Sequence, residues 1–414
     1  MTPMTAHVDL VVVGAGPAGS AAAIAAARRG REVILLESGE LGRDKTCGDG
    51  LTPRAIHELR HLGLAEQILR THRNRGLKLH GYGGSVTAPW PQSAFGAEGS
   101  AMPRTLFDAL LARTARDSGA DLRSSSTAHA PDVEDGKIVR LQVTGPDGSY
   151  DLQPRHVVVA DGVRSPLGKE LGRTWHREEV FGVAARSYVT SERSRDEWMH
   201  SHVELRGTEG EILPGYGWMF PLGNGEMNLG CGALSTQARP AQVNTKKLLK
   251  HYADTYRAEF GLGEPTKVTS ALLPMGGAVS GVAGKNYVLI GDAAAGVNPL
   301  NGEGIDYGLE MARLCLDVLE AGDATEAWPA LLRETYGEAF TLARTAARLL
   351  TYPQFLPLVG PVALRSPLGP LLMPAAARLM ANIVTEEDKD LLARAWRLAG
   401  RGARVVRRSS PLWS

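Results

Sequence analysis

The chain has 414 residues, of which 43% are hydrophobic, and a formal net charge of +1. This size allows a large buried core in two or three domains, and the near-neutral charge excludes a general attraction to nucleic acid. The three cysteines, Cys47, Cys231 and Cys315, form no CxxC pair or metal-ligand cluster. This cysteine usage leads us to expect no metal site and a reducing compartment. We expect that compartment to be the cytoplasm, since no signal-peptide pattern separates Met1 from the first predicted strand.

The first glycine-rich segment reads Gly14-Ala15-Gly16-Pro17-Ala18-Gly19, follows an apolar strand pattern and opens an alanine-rich helix. Gly14 allows a tight turn, Gly16 lets a diphosphate approach the backbone, and Gly19 lets helix and strand pack closely. A second strand pattern ends at Glu37, where a carboxylate binds the hydroxyls of an unphosphorylated ribose. Strand, glycines, helix, strand and acid in this order predict a βαβ dinucleotide site.

A second glycine-rich segment, Ile290-Gly291-Asp292-Ala293-Ala294-Ala295, lies about 270 residues downstream and also ends an apolar strand pattern. Its small residues permit close approach of a ligand, and the loop 298–304 leads into a predicted helix that ends near Ala321. We expect the two segments to assemble one dinucleotide site from distant parts of the chain.

The other elements alternate between helical and strand periodicity. We expect helices over 53–62 and 105–118 and short strands between 122 and 159. From 181 to 232 the pattern changes to alternating strands rich in aromatic residues, which predicts an antiparallel sheet inserted as a substrate domain.

These patterns predict an α/β fold in three parts. The parts are a discontinuous nucleotide-binding domain (1–80, 100–175 and 270–325), an antiparallel-sheet substrate domain (81–99 and 176–269), and a C-terminal helical region (326–414).

The C-terminal region is apolar between 349 and 380 but contains six prolines, which favours short packing or interfacial helices over a membrane span. Thr385 with Asp388 resembles a capping box for a helix that reaches Ala399. Basic residues then cluster, with two tryptophans nearby: Arg394, Arg397, Arg401, Arg404, Arg407 and Arg408, with Trp396 and Trp413. This segment is either a solvated basic tail or a peripheral contact with anionic lipid at the inner face of the cell membrane.

Several motifs occur together over most of the chain: the first glycine-rich segment with Glu37, then Lys45–Pro53, Arg104, Ala160-Asp161-Gly162, Tyr216–Pro221 and Gly291–Gly304. In this order they resemble the geranylgeranyl reductase family of FAD-dependent oxidoreductases, which has a Rossmann-like fold of the flavin monooxygenase (p-hydroxybenzoate hydroxylase-like) type. A narrower resemblance, to the actinobacterial menaquinone reductases, rests on Cys-Gly-Asp-Gly-Leu-Thr-Pro-Arg, Pro-Gly-Tyr-Gly-Trp and Asn-Pro-Leu-Asn-Gly-Glu-Gly-Ile-Asp-Tyr-Gly.

The resemblance implies FAD as the cofactor, with its ADP half at the first segment, its diphosphate near Arg104 and its ribityl chain at Asp292. Taken alone, Asp161-Gly162 is equally consistent with a structural strand end. The cofactor-binding residues that the resemblance implies are Gly14, Gly16, Pro17, Ala18, Gly19, Glu37, Ser38, Cys47, Gly48, Asp49, Arg104, Asp161, Gly162, Gly291, Asp292, Pro299, Gly302, Gly304 and Ile305.

The implied reaction saturates an isolated C=C bond of a polyprenyl lipid, menaquinone in the narrower resemblance. A hydride goes to one alkene carbon and a proton to the other, so the site needs an acid beside the bond. The positive end of the helix after the second segment would stabilise the negative charge of a reduced flavin by about 1 kcal/mol.

The candidate catalytic residues are Cys47, Tyr216 and Trp218. Cys47 lies in a glycine-rich turn that the family places beside the flavin, and Lys45 nearby would favour a thiolate; a small thiol that only packs under the cofactor is the alternative. Tyr216 and Trp218 belong to a pattern that the family places along its substrate cavity, although aromatic alternation also occurs in a strand core.

Other functions stay open at this point. The same fold supports aromatic hydroxylation, reduction of another prenylated metabolite, or prenyl-lipid carriage without turnover. No second GxGxxG unit is present, so electrons come from a transient NAD(P)H visit or from a ferredoxin-type partner.

Overall fold

The computed structural model describes residues 5–367, 369–384, 388–406 and 412–414. The strands are β1 (Thr5–Val13), β2 (Val33–Leu36), β3 (Gly50–Leu51), β4 (Gly76–Gly81), β5 (Gly84–Pro89), β6 (Ser100–Ala101), β7 (Asp121–Arg123), β8 (Thr127–Glu134), β9 (Lys137–Gly145), β10 (Gly148–Val159), β11 (Thr174–Trp175), β12 (Phe181–Thr190), β13 (Trp198–His202), β14 (Gly215–Pro221), β15 (Glu226–Ser235), β16 (Thr266–Pro274), β17 (Val279–Ser280), β18 (Ala283–Gly284) and β19 (Tyr287–Leu289). The helices are α1 (Pro17–Arg28), α2 (Pro53–His61), α3 (Ala65–Leu69), α4 (Arg104–Asp117), α5 (Pro166–Glu170), α6 (Thr245–Phe260), α7 (Ile305–Ala321), α8 (Ala324–Leu350), α9 (Phe355–Arg365), α10 (Gly369–Met380) and α11 (Leu391–Val406).

The first sheet has the order β18-β19-β10-β1-β2-β7, and β9 and β8 extend it from β10. Strands β19, β10, β1, β2 and β7 run parallel. The central strand β1 pairs Val11 with Ile34 on one side and with Val157 on the other. Its apolar residues are buried without alternation, as expected for a parallel strand that is covered on both faces. The predicted βαβ unit and α/β class are therefore confirmed.

The second sheet has the order β16-β12-β15-β14-β13-β4-β5. Its neighbours pair antiparallel, except that β13 and β4 run parallel. Helix α6 covers one face and buries Leu249, Tyr252 and Phe260 against Met219 and Leu229 of the sheet. The sequence analysis predicted this sheet but not α6.

The second sheet also extends beyond its predicted limits. Strand β4 begins at Gly76, and β16 continues to Pro274, so both ends take in residues that the sequence analysis assigned to the nucleotide-binding domain. The difference arises because β4 pairs with β13 more than 100 residues away, a partner that local periodicity does not reveal. The division into domains stays a prediction, with its boundaries displaced to these strand ends.

The C-terminal helices confirm the expectation of short helices after residue 349, since α9 and α10 meet at a bend of 119°. No single described helix has the length and apolarity of a membrane span, although this bent pair passes that test when its two helices are taken together. Helix α11 continues past Gly400, where the prediction ended it. A Cβ built at Gly400 would lie 3.1 Å from Glu338 Cβ, so this glycine permits close packing against α8.

The start of α11 and the basic cluster also differ from expectation. The Asp390 side chain, not that of Asp388, accepts from the Ala393 amide at the start of α11, and Thr385 lies outside the described residues. The side chain of Arg404 and residues Arg407 and Arg408 also lie outside them.

Trp413 is fully buried, which corrects its predicted place beside a lipid surface. Its indole Nε1 donates to the Ala294 carbonyl at 2.6 Å, and its ring packs against Tyr336 and Phe340 of α8. The chain end therefore supports the second glycine-rich segment.

Candidate active site

The two glycine-rich segments meet, as predicted. A Cβ built at Gly291 would lie 3.0 Å from the Ala18 methyl group, so the segments pack through their smallest residues. Gly14 has φ of +104°, and a Cβ there would lie 2.3 Å from the Ala160 carbonyl oxygen. A Cβ at Gly19 would lie 1.8 Å from the Gly14 carbonyl oxygen. These positions require glycine, because any side chain would close the turn on which the site depends.

A cavity opens beside the first segment. Its lining includes Val13, Gly14, Leu36, Glu37, Ser38, Arg43, Lys45, Ser126, Ala128, Ala160, Asp161 and Leu167. The Glu37 carboxylate is fixed at the end of β2 because it accepts from the Ala15 amide at 2.9 Å and from Arg43 Nε at 3.3 Å. The combination of a fixed acid, a serine and apolar walls fits the adenosine half of a dinucleotide.

Two cationic side chains, those of Lys45 and Arg104, lie near the start of α1. A Cβ built at Gly16 would lie 3.0 Å from Lys45 Nζ, and no side chain in the described part of the protein caps the helix. Arg104 binds both carboxylate oxygens of Asp108, at 2.7 and 2.8 Å, and Lys45 Nζ lies 3.6 Å from the same carboxylate. Burial, and then the Arg104 charge, lowers the pKa of Lys45. Free helix amides with an ammonium and a guanidinium fit a diphosphate.

Two aspartates predicted at the cofactor take different positions. The Asp292 carboxylate lies beside Gly304, since a Cβ built there would be 3.2 Å from its Oδ1. Burial raises the pKa of Asp292, while Arg104 and Lys45 oppose that rise. Asp161 instead caps α5, where its Oδ2 accepts from the Leu167 amide at 2.9 Å. Asp161 therefore has a structural partner in addition to its place on the cavity wall.

The loop before α7 is held by the second sheet. The Tyr216 hydroxyl donates to the Asn301 carbonyl at 2.5 Å, and Asn298 Oδ1 accepts from the Leu300 amide at 2.9 Å. The predicted cofactor residues here are Pro299, Gly302 and Gly304 in the loop and Ile305, the first residue of α7. The loop leads into an α7 that begins at Ile305, as expected.

The Cys47 turn is held by side chains of the second sheet. Arg186 Nε and Asn228 Nδ2 both donate to the Cys47 carbonyl oxygen, at 3.3 and 2.8 Å. Trp218 Nε1 donates in turn to Asn228 Oδ1 at 2.8 Å. A Cβ at Gly48 would lie 3.1 Å from the Phe220 ring, so the turn rests directly on the sheet. Trp218 thus acts on the turn through Asn228.

The thiol of Cys47 and the neighbouring carboxyl group are shifted toward their protonated forms. Burial raises the pKa of Cys47, and the Arg104 charge opposes this only in part. Burial also raises the pKa of Asp49 to about 6, against hydrogen bonds from Asn228 and Tyr188. The expected effect of Lys45 on a thiolate is therefore wrong: Arg104 is the main opposing cation, and burial outweighs it.

Sequence reasoning missed several residues that shape this site: Asp44, Arg54, Asp108, Arg186, Asn228 and Asp306. The Arg104–Asp108 pair could have been predicted from the sequence, because residues four apart on a helix face each other. Arg186 and Asp44 are 142 positions apart, and no local pattern indicates that they pair.

The fold and this site define a class of protein, the FAD-dependent oxidoreductases. A family profile described as "FAD binding domain" matches residues 7–343, and the chain belongs to that family. A menaquinone reductase of Mycobacterium tuberculosis is 52% identical over 404 residues, which is 97% of this chain and 98% of that protein. A digeranylgeranylglycerophospholipid reductase of Methanopyrus kandleri is 29% identical and covers 83% of this chain and 90% of its own length.

Among solved structures, a geranylgeranyl bacteriochlorophyll reductase-like protein of Thermoplasma acidophilum superposes with a TM-score of 0.72. It is 21% identical, and the match covers 84% of this chain and 89% of that one. This likeness confirms the predicted fold.

Proposed function

We propose that this protein is a reductase that saturates one isolated C=C bond in the prenyl chain of menaquinone. The observation that carries the proposal is the Cys47 turn, whose carbonyl oxygen accepts from Arg186 and Asn228 of the second sheet and whose thiol interacts with Arg104. The names of the relatives support the same substrate class: menaquinone in the mycobacterial protein and a digeranylgeranyl lipid in the archaeal one.

FAD supplies the hydride when it is bound and reduced. The protein positions the prenyl chain and supplies the proton to the alkene carbon. We assign the diphosphate to the α1 amides, Lys45 and Arg104, and the adenosine half to the cavity beside Glu37. Cys47, kept as a thiol by burial, holds a proton that the alkene needs. Tyr216 fixes the loop before α7 and lines the substrate side.

The test is product analysis with menaquinone and the dithionite-reduced holoprotein. Dithionite replaces the unknown electron donor, and mass spectrometry distinguishes the candidate reactions. A gain of two hydrogens that remains after air has reoxidised the quinone ring, and that fragmentation places in the prenyl chain, supports the proposal. A gain of one oxygen under air would identify a hydroxylase. A prenyl chain left unchanged in menaquinone and in every other polyprenyl substrate offered would favour a prenyl-lipid carrier.

We also propose a peripheral membrane contact through α9 and α10. These helices expose Leu358, Val362, Leu371 and Leu372, at 75, 53, 72 and 43%. A lipid surface is a suitable partner because the substrate itself is a membrane lipid. The basic cluster adds less than expected, since Arg397 donates to the Asp388 carbonyl and Arg401 lies 3.5 Å from Glu338.

Vesicle sedimentation tests this contact. The double variant Leu358→Glu/Leu371→Glu should lose binding to vesicles that contain anionic lipid, because each charge replaces an exposed apolar side chain. Leu106→Glu is the matched control, since Leu106 is 57% exposed on α4. Equal sedimentation of the double variant and the control would contradict the contact.

A further inference from the structure

A cluster of acids lies behind the loop that precedes α7. Asp306 is fully buried, Glu58 is 3% exposed, Glu310 retains 12% side-chain exposure, and Glu303 is partly buried. Arg54 Nη2 pairs with Glu310 at 2.5 Å, and Arg313 pairs with Glu58 at 3.1 Å. The remaining carboxyls, those of Glu303 and Asp306, belong to neighbouring turns.

The charge balance of this cluster requires bound protons. Four carboxyl groups face two paired guanidinium groups, so full ionisation would leave two uncompensated negative charges in a largely buried place. Such charges are costly, and a carboxyl takes up a proton instead. Asp306 Oδ2 is buried and has no hydrogen-bond partner among the described residues, which costs a neutral carboxyl less than it costs a carboxylate.

The surroundings favour different forms of the two acids. Glu303 accepts from the Thr52 hydroxyl at 2.5 Å and from Asn301 Nδ2 at 3.4 Å, which favours its ionised form. Asp306 accepts from the Tyr307 amide at 2.8 Å through Oδ1. Burial raises the pKa of both carboxyls, and the Glu303 charge raises that of Asp306 further.

Glu303 connects the cluster to the proposed substrate side. Asn301, whose carbonyl accepts from the Tyr216 hydroxyl, is two residues before it. Burial raises the pKa of Tyr216, and the charges of Glu303 and Cys47 raise it further. Glu303 therefore acts on this phenol. The groups that act on the pair are Thr52, Arg54, Asn301, Tyr307, Glu310 and Tyr216. Arg313 and Tyr336 bind Glu310, and Glu58 is paired with Arg313.

We propose that Glu303 and Asp306 together carry one proton at neutral pH, and that Glu303 releases a proton toward the proposed substrate side at Tyr216. The step rests on the proposed function, because saturation of a C=C bond takes up one hydride from reduced flavin and one proton from the protein. The Cys47 S–H bond breaks as the new C–H bond forms on the substrate. An O–H bond of the pair then breaks to restore the S–H bond, and water returns the proton to the pair after turnover.

Stability against pH tests the shared proton without any turnover. An acid whose folded pKa is raised contributes stability at low pH that is lost as pH rises through the folded pKa. The thermal midpoint of the holoprotein should therefore fall relative to Asp306→Asn as pH rises above about 4. Asp317→Asn, an exposed change on the same helix, should track the wild type. A midpoint difference between wild type and Asp306→Asn that does not change with pH would overturn the proposal.

The pH profile of prenyl reduction tests the release. In Asp306→Asn, the pH at which the rate falls on the alkaline side should decrease by about one pH unit or more, because Glu303 loses its like-charged neighbour. Glu303→Gln should slow reduction about 100-fold at neutral pH while its FAD content stays at the wild-type level. Unchanged profiles in both variants would overturn the release step and leave the proposed function standing. A wild type that reduces no prenyl substrate would overturn the function, and the stability test would still report on the proton.

A separate observation concerns two histidines on α2. His57 and His61 lie one turn apart, with their Nε2 atoms 3.2 Å apart. A tetrahedral Zn²⁺ with bonds of 2.0–2.1 Å holds two imidazole nitrogens about 3.3 Å apart. Burial lowers the pKa of His57, which keeps the ring neutral for binding. Glu58 lies within 4.8 Å of both nitrogens, but Arg313 holds its carboxylate.

We infer that His57 and His61 form a surface site for a divalent transition-metal ion, with water completing the coordination. This goes beyond the sequence analysis, which expected no metal. The His-Glu-x-x-His spacing does not make a hydrolytic centre here, because the glutamate is bound to Arg313.

Calorimetric titration of the chelator-treated holoprotein with Zn²⁺ tests this site. One ion should bind per chain, and Cu²⁺ should bind more tightly than Zn²⁺. His61→Ala should abolish the binding, whereas His7→Ala, an exposed histidine elsewhere, should retain it. Equal Zn²⁺ binding by wild type and His61→Ala would overturn the inference.

Discussion

Cys47 takes its position from residues far away in the chain. Arg186 and Asn228 fix its carbonyl, and burial keeps its thiol protonated. A neutral thiol suits proton donation to a carbon centre, whereas a thiolate would suit nucleophilic attack. A neutral thiol fits both alternatives that the sequence left open, a proton donor and a packing residue, and the donor role stays a proposal.

Replacing Cys47 by alanine should slow prenyl reduction by about 10²- to 10⁴-fold, the usual contribution of a positioned acid. FAD content and the rate of flavin reduction by dithionite should stay at the wild-type level, because the thiol is not needed for either. Single-turnover formation of the saturated prenyl chain, measured after air has reoxidised the quinone ring, gives the effect.

Cys315→Ala is the matched control, since that thiol is buried in the core of α7. It should cost some stability and leave the rate per bound FAD unchanged. If Cys47→Ala formed the saturated prenyl chain at the wild-type rate, Cys47 would be a packing residue and another acid would protonate the alkene.

At the scale of elements, the sequence predicts what is local and misses what is distant. The glycine turns, α1, α2, α4 and α7 were predictable, because their periodicity, proline starts and glycine ends lie within one short window. The pairing of β4 with β13 and the contact of Arg186 with the Cys47 turn were not, since each joins segments more than 100 residues apart. Helix α6 carries an Asn244 cap and an apolar stripe that could have indicated it.

Gly291→Ala should remove FAD from the protein. The added methyl group would lie 3.0 Å from the Ala18 methyl group and would force α1 and the second glycine-rich segment apart. The backbone at φ of +60° adds about 1 kcal/mol of strain. The FAD-to-protein absorbance ratio of the purified variant measures the loss.

Gly30→Ala separates strain from crowding. Gly30 has φ of +77°, and a Cβ there would meet no atom of the described residues within 4 Å. This variant should lose about 1 kcal/mol of stability but keep its FAD. If both variants retained FAD equally, close packing between the two segments would not be what the cofactor site needs.

At the scale of the whole molecule, the site draws on every part of the described chain. The first sheet provides the glycine turns, the second sheet holds the Cys47 turn, and Trp413 from the chain end binds the Ala294 carbonyl. A ligand seated there touches segments that the sequence separates widely. Its binding should therefore stabilise the protein as a unit.

Removing FAD should lower the thermal midpoint of unfolding by roughly 5 °C. A ligand at a thousand times its Kd contributes about 4 kcal/mol, and a chain of this length unfolds with an entropy that converts this to a few degrees. Scanning calorimetry of the apo and reconstituted protein measures the shift. A midpoint that does not respond to added FAD would mean that the cofactor does not couple these parts.

The attachment of the Cys47 turn to β12 and β15 has a consequence for protein engineering. Chimeras that exchange only the aromatic sheet between relatives would separate the turn from its Arg186 and Asn228 anchors. A graft intended to change lipid preference should therefore carry residues 44–50 together with those two strands, although the segments are far apart in the gene.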